Sequence, residues 1–490
     1  MKKPTYTNII ITFLLILCLP FNALALGDVK AAMKTFSSKK GMERAHTGLY
    51  IIDLKTGEPV VEYCATDSFI PASVTKLVSS ATTMKVQPNN FTFKTLVIAN
   101  GKIKGGTLDG NLVIVGGADP TICSHHFPEH ESLINKCLNV LTNAGIKRIT
   151  GKVIIDNCAY KEPGVPDDWE NGDMVEDYAA GLFAVNYDGN MMTIKLDCSG
   201  ATPKVVSVFP RQNNLSIDLS DLTIKSGKKY RTTPRLYRTK NSNILKMSGT
   251  VRRQKNPVVV RTTIPDANDA FACLLTDTLQ SFGITVNGKD ISQRRKHNEI
   301  LTVYKSPNIH EIVKSLLYRS DNLFAEGVFR ANCSGQKKTL SRKNSIKREK
   351  SVLKDWGVDM NHVSIYDGSG LSRSNHFTPK FLGEMLLAVY NDNTMRDRFL
   401  PLIPVCGENG TVKNFLKDSH LAGKLAVKSG SMTGVQSYAG YYPIDNPQYA
   451  MVVMTNRFTC GYRAINQYLE ELLSTVFEDE STDKETLTKE

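Results

Sequence analysis

The sequence predicts a mixed α/β (α+β) domain in which helices flank an antiparallel sheet and a long, mostly β module is inserted. Residues 46–63 show two runs of alternating apolar character around a Gly-containing turn, the pattern of a β-hairpin. Between residues 86 and 289 short β-rich runs alternate with turn residues; helical periodicity then returns, and two strand patterns precede a last helix. We therefore expect one discontinuous domain, residues 26–85 and 290–476, around an insertion of two subdomains.

The N-terminus has the pattern of a secretory signal peptide. Lys2 and Lys3 precede an apolar run, residues 9–18, and Ala23-Leu24-Ala25 offers a small-x-small cleavage site. No later apolar run approaches the roughly 20 residues of a membrane span. We expect residues 1–25 to be removed and the exported protein to be soluble in the periplasm or cell envelope. The polar C-terminal segment, residues 477–490, is expected to be disordered.

The formal net charge of +13 favours an anionic surrounding such as lipid or wall polymer. The densest basic run is Lys337 to Lys350, in which seven of fourteen residues are Lys or Arg. The run has no aromatic residues between its basic residues and no known nucleic-acid-binding motif, which argues against nucleic acid as a partner. Contact with an anionic envelope surface and a merely solvated loop both stay open. Nine cysteines remain after the signal, so at least one thiol is unpaired, and the pairing of the others cannot be read from their spacing.

The first chemical motif is the helix start FIPASVTK. Pro71 suits a first helical turn, where its missing N–H costs nothing, and Ser73 follows near the positive end of the helix dipole. Lys76 stands three positions after Ser73, so the two side chains are neighbours on a helix. A lysine with a lowered pKa, neutral at physiological pH, can remove the serine proton. The pair alone is a weak signal, because such spacing recurs by chance on surface helices.

Two further motifs follow in a defined order. Ser320-Asp321-Asn322 lies in a helical pattern, and Lys428-Ser429-Gly430 lies on a strand pattern. Ser-x-x-Lys, Ser-Asp-Asn and Lys-Thr/Ser-Gly, in this order, form the motif set of penicillin-binding proteins and serine β-lactamases. Lys55-Thr56-Gly57 matches the third motif by letters, but it precedes the nucleophile and occupies a hairpin turn. We therefore assign Lys55 to the turn and Lys428 to the site.

With these motifs the chain resembles the D-alanyl-D-alanine carboxypeptidase/endopeptidase family, low-molecular-mass penicillin-binding proteins with a large insertion between the first two motifs. The separation of 320 − 73 = 247 residues between the two motif serines is similar to that family. Further similar stretches are VGGADP at 115–120, YDGSGLSRSNHFTP at 366–379, LPLIPVCGENGTV at 400–412 and SYAGYY at 437–442. The resemblance implies a penicillin-binding/β-lactamase-like transpeptidase fold and no cofactor or metal. It also implies peptidoglycan stem peptides and β-lactams as partners.

The resemblance also implies roles for single residues. Ser73 would attack the carbonyl between two D-alanines, and Lys76 would activate it. Ser320 would relay a proton to the leaving amine, and Asn322 would orient Lys76 and the substrate backbone. Lys428 would hold the terminal carboxylate. Ser429 would also bind the carboxylate, and the Ser431 amide would stabilise the oxyanion together with the Ser73 amide. Asp173 would contact a free amine of the stem peptide. The remaining substrate-binding positions are Gly430 and Asp321.

Three alternatives remain at this stage. A β-lactamase needs a second base to expel the acyl group quickly, and one class of these enzymes takes it from a Glu-x-x-Leu-Asn segment after the second motif. The nearest string here, ESLIN at 131–135, precedes Ser320. A zinc site in CSHHFPEH would use His126 and His130, but Pro128 lies between them and prevents the helix that their spacing requires, so a polar loop is expected. A non-catalytic wall-binding protein on the same fold would typically have lost the nucleophile or its lysine.

Overall fold

The structure is a computed structural model, and it describes residues 27–291, 297–335 and 339–478. The predicted signal peptide and residues 479–490 of the predicted disordered tail lie outside the described residues. Within the described ranges, no helix is both long enough and apolar enough to cross a membrane.

The described residues form the following strands and helices. The strands are β1 (His46–Asp53), β2 (Pro59–Tyr63), β3 (Lys94–Lys104), β4 (Thr107–Val115), β5 (Arg148–Ile149), β6 (Val153–Asp156), β7 (Met191–Asp197), β8 (Lys204–Phe209), β9 (Ser216–Lys225), β10 (Thr233–Tyr237), β11 (Ile244–Arg252), β12 (Val258–Thr263), β13 (Thr285–Val286), β14 (Asn298–Lys305), β15 (Ala426–Met432), β16 (Val435–Tyr442) and β17 (Tyr449–Asn456). The helices are α1 (Val29–Ser37), α2 (Thr75–Val86), α3 (Leu133–Asn143), α4 (Ala267–Ser281), α5 (Ile309–Arg319), α6 (Asn322–Ala331), α7 (Arg342–Asp355), α8 (Pro379–Asn391), α9 (Asn393–Phe399) and α10 (Tyr462–Val476).

The catalytic-type motifs belong to a domain built on a five-stranded antiparallel sheet in the order β15-β16-β17-β1-β2. Successive side chains of a strand point to opposite faces. Accordingly, Tyr50 and Ile52 of β1 pack in one core with α2, α5, α6 and α8, whereas Leu49 and Ile51 pack in a second core with α1 and α10. The predicted hairpin and the predicted antiparallel sheet flanked by helices are thus confirmed.

The region between α2 and α5 is rich in β-structure, as its sequence texture predicts. One sheet has the order β13-β5-β4-β3-β14, with β6 paired to β4, and two three-stranded sheets have the orders β10-β11-β9 and β12-β7-β8. Two separate apolar cores lie here, one under the larger sheet and one between the smaller sheets. The division into an inserted module with two subdomains stays a proposal. The pairing of β14 with β3 favours a C-terminal boundary after Lys305 instead of at residue 289.

The loop interpretation of the basic run is wrong for residues 342–350, which are helical. Helix α7 begins at Arg342, and the Ser341 side chain caps it by accepting a hydrogen bond from the Asn344 amide. The tail prediction is also wrong at its first residue, because Phe477 is 1% exposed and stacks near Tyr442. Most residues of both segments are charged or polar. The sequence interpretation therefore missed the helix cap Ser341 and the buried Phe477.

Eight of the nine cysteines that follow the predicted signal are free thiols within the described residues, namely Cys64, Cys123, Cys137, Cys158, Cys198, Cys273, Cys406 and Cys460. The expectation of at least one unpaired thiol is therefore met. Five of the nine cysteines are buried and pack as small apolar groups, namely Cys137, Cys198, Cys273, Cys333 and Cys406.

Candidate active site

Ser73 lies in a tight turn of 3-10 helix, Ala72–Val74, that runs directly into α2. Ala72 has a φ of 51°, a left-handed conformation that non-glycine residues rarely adopt and that is often found at functional sites. The Ala72 carbonyl accepts a hydrogen bond from the Thr75 hydroxyl at 2.8 Å. Gly370 packs so closely that a Cβ there would lie 2.0 Å from the Ala72 carbonyl oxygen. The turn that presents Ser73 is therefore held from both sides.

Lys76 is fully buried directly beneath Ser73, at the position that the i, i+3 spacing predicts. Its Nζ lies 2.8 Å from the Ser73 Oγ, 2.6 Å from the Asn322 Oδ1 and 2.5 Å from the Ser369 carbonyl oxygen. Burial lowers the pKa of Lys76 to about 8, although the charges of Asp367, Asp321 and Glu326 act in the opposite direction. A substantial neutral fraction of this amine therefore exists near neutral pH, as a base for Ser73 requires.

The second motif is formed at the junction of α5 and α6. Ser320 terminates α5 with a φ of 59°, and Asn322 is the first residue of α6. Asp321 caps α6 by accepting a hydrogen bond from the Phe324 amide at 2.8 Å. The Asn322 amide nitrogen donates to the Tyr178 carbonyl at 2.7 Å, which leaves the amide oxygen oriented toward Lys76. Asp321 therefore caps α6 directly beside the site.

The third motif lies on β15, the edge strand of the central sheet. Lys428 is fully buried, and its Nζ donates to the Ser320 Oγ at 2.9 Å. Burial, and secondarily the charge of Lys76, holds the pKa of Lys428 well below its ordinary value. The Ser429 hydroxyl lies 2.7 Å from that of Thr411. Lys428 therefore places an amine next to Ser320, and Ser429 places a hydroxyl next to Thr411.

Gly430 brings β15 against the nucleophile turn. A Cβ at this position would lie 2.7 Å from the Pro71 carbonyl oxygen and 2.9 Å from the Ser73 nitrogen, so a side chain cannot be accommodated. The next residue, Ser431, lines the same cavity as Ser73, and its hydroxyl donates to Gln436 at 2.6 Å. Ser73 and Ser431 therefore line one cavity.

The alternative match to the third motif, Lys55-Thr56-Gly57, lies elsewhere. It forms the turn between β1 and β2, where Asp53 accepts hydrogen bonds from the Lys55 and Thr56 amides. Because β2 and β15 are the two opposite edges of the five-stranded sheet, this turn is separated from Ser73 by the width of the sheet. The geometry favours Lys428 as the site lysine.

Asp173 opens onto the cavity that contains Ser73. The cavity has a volume of about 390 Å³, and Tyr178 and Arg373 also line it. Asp173 lies in a short turn, Asn171–Asp173, and accepts a hydrogen bond from the Tyr178 hydroxyl at 2.9 Å. An acid of the inserted region and the nucleophile therefore face the same space.

Sequence reasoning missed a buried acidic support behind Lys76. Glu326 accepts hydrogen bonds from the amides of Gly368 and Ser369, both at 2.9 Å, and pairs with Arg330 at 3.1 Å. Asp367 accepts from the Gly370 amide and from the Trp169 indole. These acids fix the loop whose Ser369 carbonyl holds Lys76. A sequence signal existed, since Glu326 interrupts an apolar helix and Asp367 opens the Gly- and Ser-rich stretch YDGSGLS.

The segment Cys123–His130 does not gather metal ligands. His125 pairs with Asp188 at 2.9 Å, whereas the Nε2 of His130 lies 2.7 Å from the Lys305 carbonyl oxygen. Its turns agree with the polar-loop expectation. Among the described residues, the ligand atoms of a different group, His46, Cys64 and Asp67, lie within 4.8 Å of one another, and these could hold a metal ion.

The β-lactamase alternative gains no second base from ESLIN. Ser132 of this string caps α3 and accepts a hydrogen bond from the Ile134 amide. Glu131 pairs with Lys136 at 2.9 Å, and Leu133 is buried in the core of the larger inserted sheet. The string thus performs a structural task in the inserted region.

Comparisons with known proteins identify the family of the chain. Residues 29–474 match the family model described as the D-Ala-D-Ala carboxypeptidase 3 (S13) family. The chain is 23% identical over 430 residues to D-alanyl-D-alanine carboxypeptidase DacB of Haemophilus influenzae, covering 86% of this chain and 88% of that protein. It is also 23% identical over 431 residues to a D-alanyl-D-alanine carboxypeptidase of Actinomadura sp., covering 85% and 78%.

A solved structure shares the fold. Penicillin binding protein 4 (dacB) from Haemophilus influenzae superposes with a TM-score of 0.78 at 21% identity, over 92% of this chain and 100% of that chain. A second structure of that protein, in complex with a β-lactam, gives a TM-score of 0.74 at 22% identity, again over 92% and 100%. The expected penicillin-binding-protein fold is thereby confirmed.

Proposed function

The chain belongs to the D-Ala-D-Ala carboxypeptidase 3 (S13) family and is a serine-type D-Ala-D-Ala peptidase of the cell wall, and from this premise we propose that it acts through an acyl-enzyme on Ser73. The observation that carries the proposal is the buried Lys76 amine, 2.8 Å from the Ser73 hydroxyl and with a pKa lowered to about 8. An amine in this state accepts a proton from serine without the help of a metal or a histidine.

The first half of the reaction forms the ester. Lys76 takes the Ser73 proton as Oγ bonds to the carbonyl carbon between the two D-alanines, and the amides of Ser73 and Ser431 stabilise the oxyanion. As the C–N bond breaks, Ser320 gives its proton to the leaving nitrogen and recovers one from Lys428, 2.9 Å away. A water molecule then bonds to the ester carbon and gives a proton to Ser320, which passes one on to the now neutral Lys428. As the bond to Ser73 Oγ breaks, Lys76 returns its proton to that oxygen, so all three groups regain their starting states.

The leaving side of the substrate ends in a carboxylate, for which Lys428 and Ser429 are the proposed partners. Burial holds the pKa of Lys428 well below its ordinary value in the free site. A bound carboxylate supplies the missing negative charge and raises that pKa again. Asp173 and Asn322 are the proposed contacts for the acyl side, a free amine and the peptide backbone respectively.

Intact mass before and after incubation with a penicillin tests the nucleophile. The parent should carry one persistent adduct, Ser73→Ala none, and the matched control Ser68→Ala, an exposed serine of the preceding loop, should behave as the parent. Loss of the drug without a persistent adduct would replace the proposal by a β-lactamase. Intact drug without an adduct would replace it by a non-catalytic wall-binding protein.

We further propose that α7 lets the enzyme lie against an anionic envelope surface. Lys343, Lys347 and Lys350 are exposed at helical i, i+4 and i+7 positions, opposite the buried Ser345 and Glu349. The triple change of these lysines to Gln should weaken cosedimentation with vesicles of anionic lipid at low salt. Equal binding of the triple variant and the parent at every salt concentration would contradict this contact.

We also propose that the protein is exported from the cytoplasm. The basis of this proposal is the signal-like pattern of residues 1–25, which lie outside the described residues. Protein recovered from the envelope fraction of the source cell should have residue 26 at its N-terminus. Recovery of the uncleaved chain from the cytoplasm would reject export.

A further inference from the structure

His46, Cys64 and Asp67 form a cluster of metal-ligating side chains outside the active site. One ligand atom of each residue lies within 4.8 Å of those of the other two. His46 is the first residue of β1, Cys64 directly follows β2, and Asp67 lies in the loop after it. None of them belongs to the three sequence motifs, and the reaction proposed for Ser73 uses none of them.

The pairing of the first two strands brings the cluster together. β1 and β2 are antiparallel with Tyr63 opposite Leu49, so the chain that leaves β2 continues toward the start of β1. Cys64 then has a φ of 45°, a left-handed conformation that costs energy in a non-glycine residue and is often found where ligands are held. The Asp67 amide donates to the Cys64 carbonyl at 3.2 Å and closes the turn. Both side chains thereby face His46.

The imidazole of His46 is already held in position. Its ring stacks on the buried Phe69, with ring centroids 4.7 Å apart and planes 8° from parallel. Its Nε2 lies 2.9 Å from the Oδ2 of Asp67. The side chains of His46 and Asp67 are 32% and 46% exposed, so an ion from solvent can reach them. The cluster therefore combines an oriented ligand with a path of entry.

The ligand atoms indicate which ion fits. A thiolate sulfur, an imidazole nitrogen and a carboxylate oxygen are ligands of Zn²⁺ in proteins, whereas Ca²⁺ and Mg²⁺ take oxygen ligands. With metal–ligand distances of about 2.0–2.3 Å, the ligand atoms of a tetrahedral Zn²⁺ site are roughly 3.3–3.7 Å apart. The separations in the cluster, 2.9 Å between His46 and Asp67 and at most 4.8 Å for any pair, bracket that range. Small side-chain movements therefore suffice to bind the ion.

The loop between β2 and the nucleophile turn contains both Cys64 and Asp67. Its second half is fastened to the domain, because Phe69 and Phe377 exchange two backbone hydrogen bonds of 2.9 Å. An ion shared with His46 would fasten the first half of the loop to β1 in a similar way.

We propose that this cluster binds one Zn²⁺, with water as the fourth ligand, and that the ion stabilises the loop that leads to the nucleophile. On binding, the Cys64 thiol releases its proton to solvent and bonds to the ion as a thiolate. His46 binds through its neutral imidazole, and Asp67 binds through a carboxylate oxygen. The ion is separate from the proposed acyl-enzyme reaction, whose base is Lys76.

Titration of the reduced, metal-free protein with Co²⁺ tests the site, because a thiolate ligand gives Co²⁺ a charge-transfer absorption band in the near ultraviolet. The parent should bind one equivalent with this band, and Zn²⁺ should displace it. Cys64→Ser should lose the band, and Asp67→Asn should weaken binding by about a hundredfold. The control Cys460→Ser removes another partly buried thiol, outside the cluster, and should bind Co²⁺ as the parent does.

Thermal melting tests the stabilising role. Zn²⁺ should raise the melting temperature of the parent and of Cys460→Ser, but not that of Cys64→Ser or Asp67→Asn. A parent that binds no Co²⁺, or a band that persists in Cys64→Ser, would overturn the site. Binding without a change in melting temperature would overturn the stabilising role. The site and the proposed function fail separately, since penicillin adduct formation on Ser73 is measured on the metal-free parent.

Discussion

Replacement of Asp321 by asparagine should shift the pH dependence of acylation to lower pH. The carboxylate of Asp321 is one of three that raise the pKa of Lys76 against the effect of burial. Asparagine caps a helix about as well as aspartate, so the hydrogen bond to the Phe324 amide is retained. The variant therefore removes a charge near Lys76 and keeps the junction between α5 and α6.

The size of the parent effect follows from the pKa of Lys76. Its change from 10.5 to about 8 makes the ammonium less favourable by about 2.5 × 1.36, or roughly 3 kcal/mol. At pH 7 the neutral fraction is then about one in ten, against about one in 3,000 for an ordinary lysine. If the neutral amine is the base, the acylation rate rises about tenfold per pH unit below the pKa and levels off above it. Removing the Asp321 charge lowers the pKa further, so the variant gains rate on the acid side.

The assay is the second-order rate of acylation by a chromogenic β-lactam, measured between about pH 6 and pH 9. Asp355→Asn, at an exposed position at the end of α7, is the matched control and should reproduce the parent profile. Lys76 would be refuted as the base if the rising part of the pH–rate profile moved to higher pH in Asp321→Asn. A parent acylation rate that does not depend on pH would refute it as well. Thermal melting distinguishes a pKa effect from a lost cap.

Three further predictions concern single side chains. Lys428→Ala should lower kcat/KM more for substrates with a free terminal carboxylate than for amidated ones, and equal losses would contradict its role. Glu326→Ala leaves the buried Arg330 with a weaker partner and should cost about 3 kcal/mol of unfolding free energy, measured by urea denaturation, whereas a change below about 1 kcal/mol would contradict the pairing. Gly430→Ala should abolish penicillin adduct formation, because its Cβ would lie 2.9 Å from the Ser73 nitrogen, and a normal adduct would show that β15 can retreat.

Local signals explain what the sequence could predict. The spacing of Ser73 and Lys76 is an i, i+3 relation, so it holds wherever the helix forms. The hairpin of β1 and β2 depends on a short turn. The order of the three motifs is that of the penicillin-binding-protein motif set. In each case the information lies within a few consecutive residues, or in a pattern that a known family repeats.

The contacts that the sequence did not disclose are long-range and often made by the backbone. The carbonyls of Tyr178 and Ser369 position Asn322 and Lys76, and a backbone carbonyl has no residue type by which it can be recognised. The acid Glu326 acts through the amides of a loop more than 40 residues away, so its spacing to the site is set by the fold alone.

The distribution of charge links carboxylate recognition to activation of the base. The acids Asp367, Asp321 and Glu326 raise the pKa of Lys76, whereas burial and the neighbouring Lys76 lower that of Lys428. A negative charge next to Lys428 is therefore favourable in the free site. A substrate carboxylate bound there is neutralised by a proton on Lys428. The pKa of Lys76 therefore stays nearly unchanged, and Lys76 can still act as the base. A substrate without that carboxylate gives Lys428 no counter-charge, and selection for a free terminus follows from the same burial that activates Lys76.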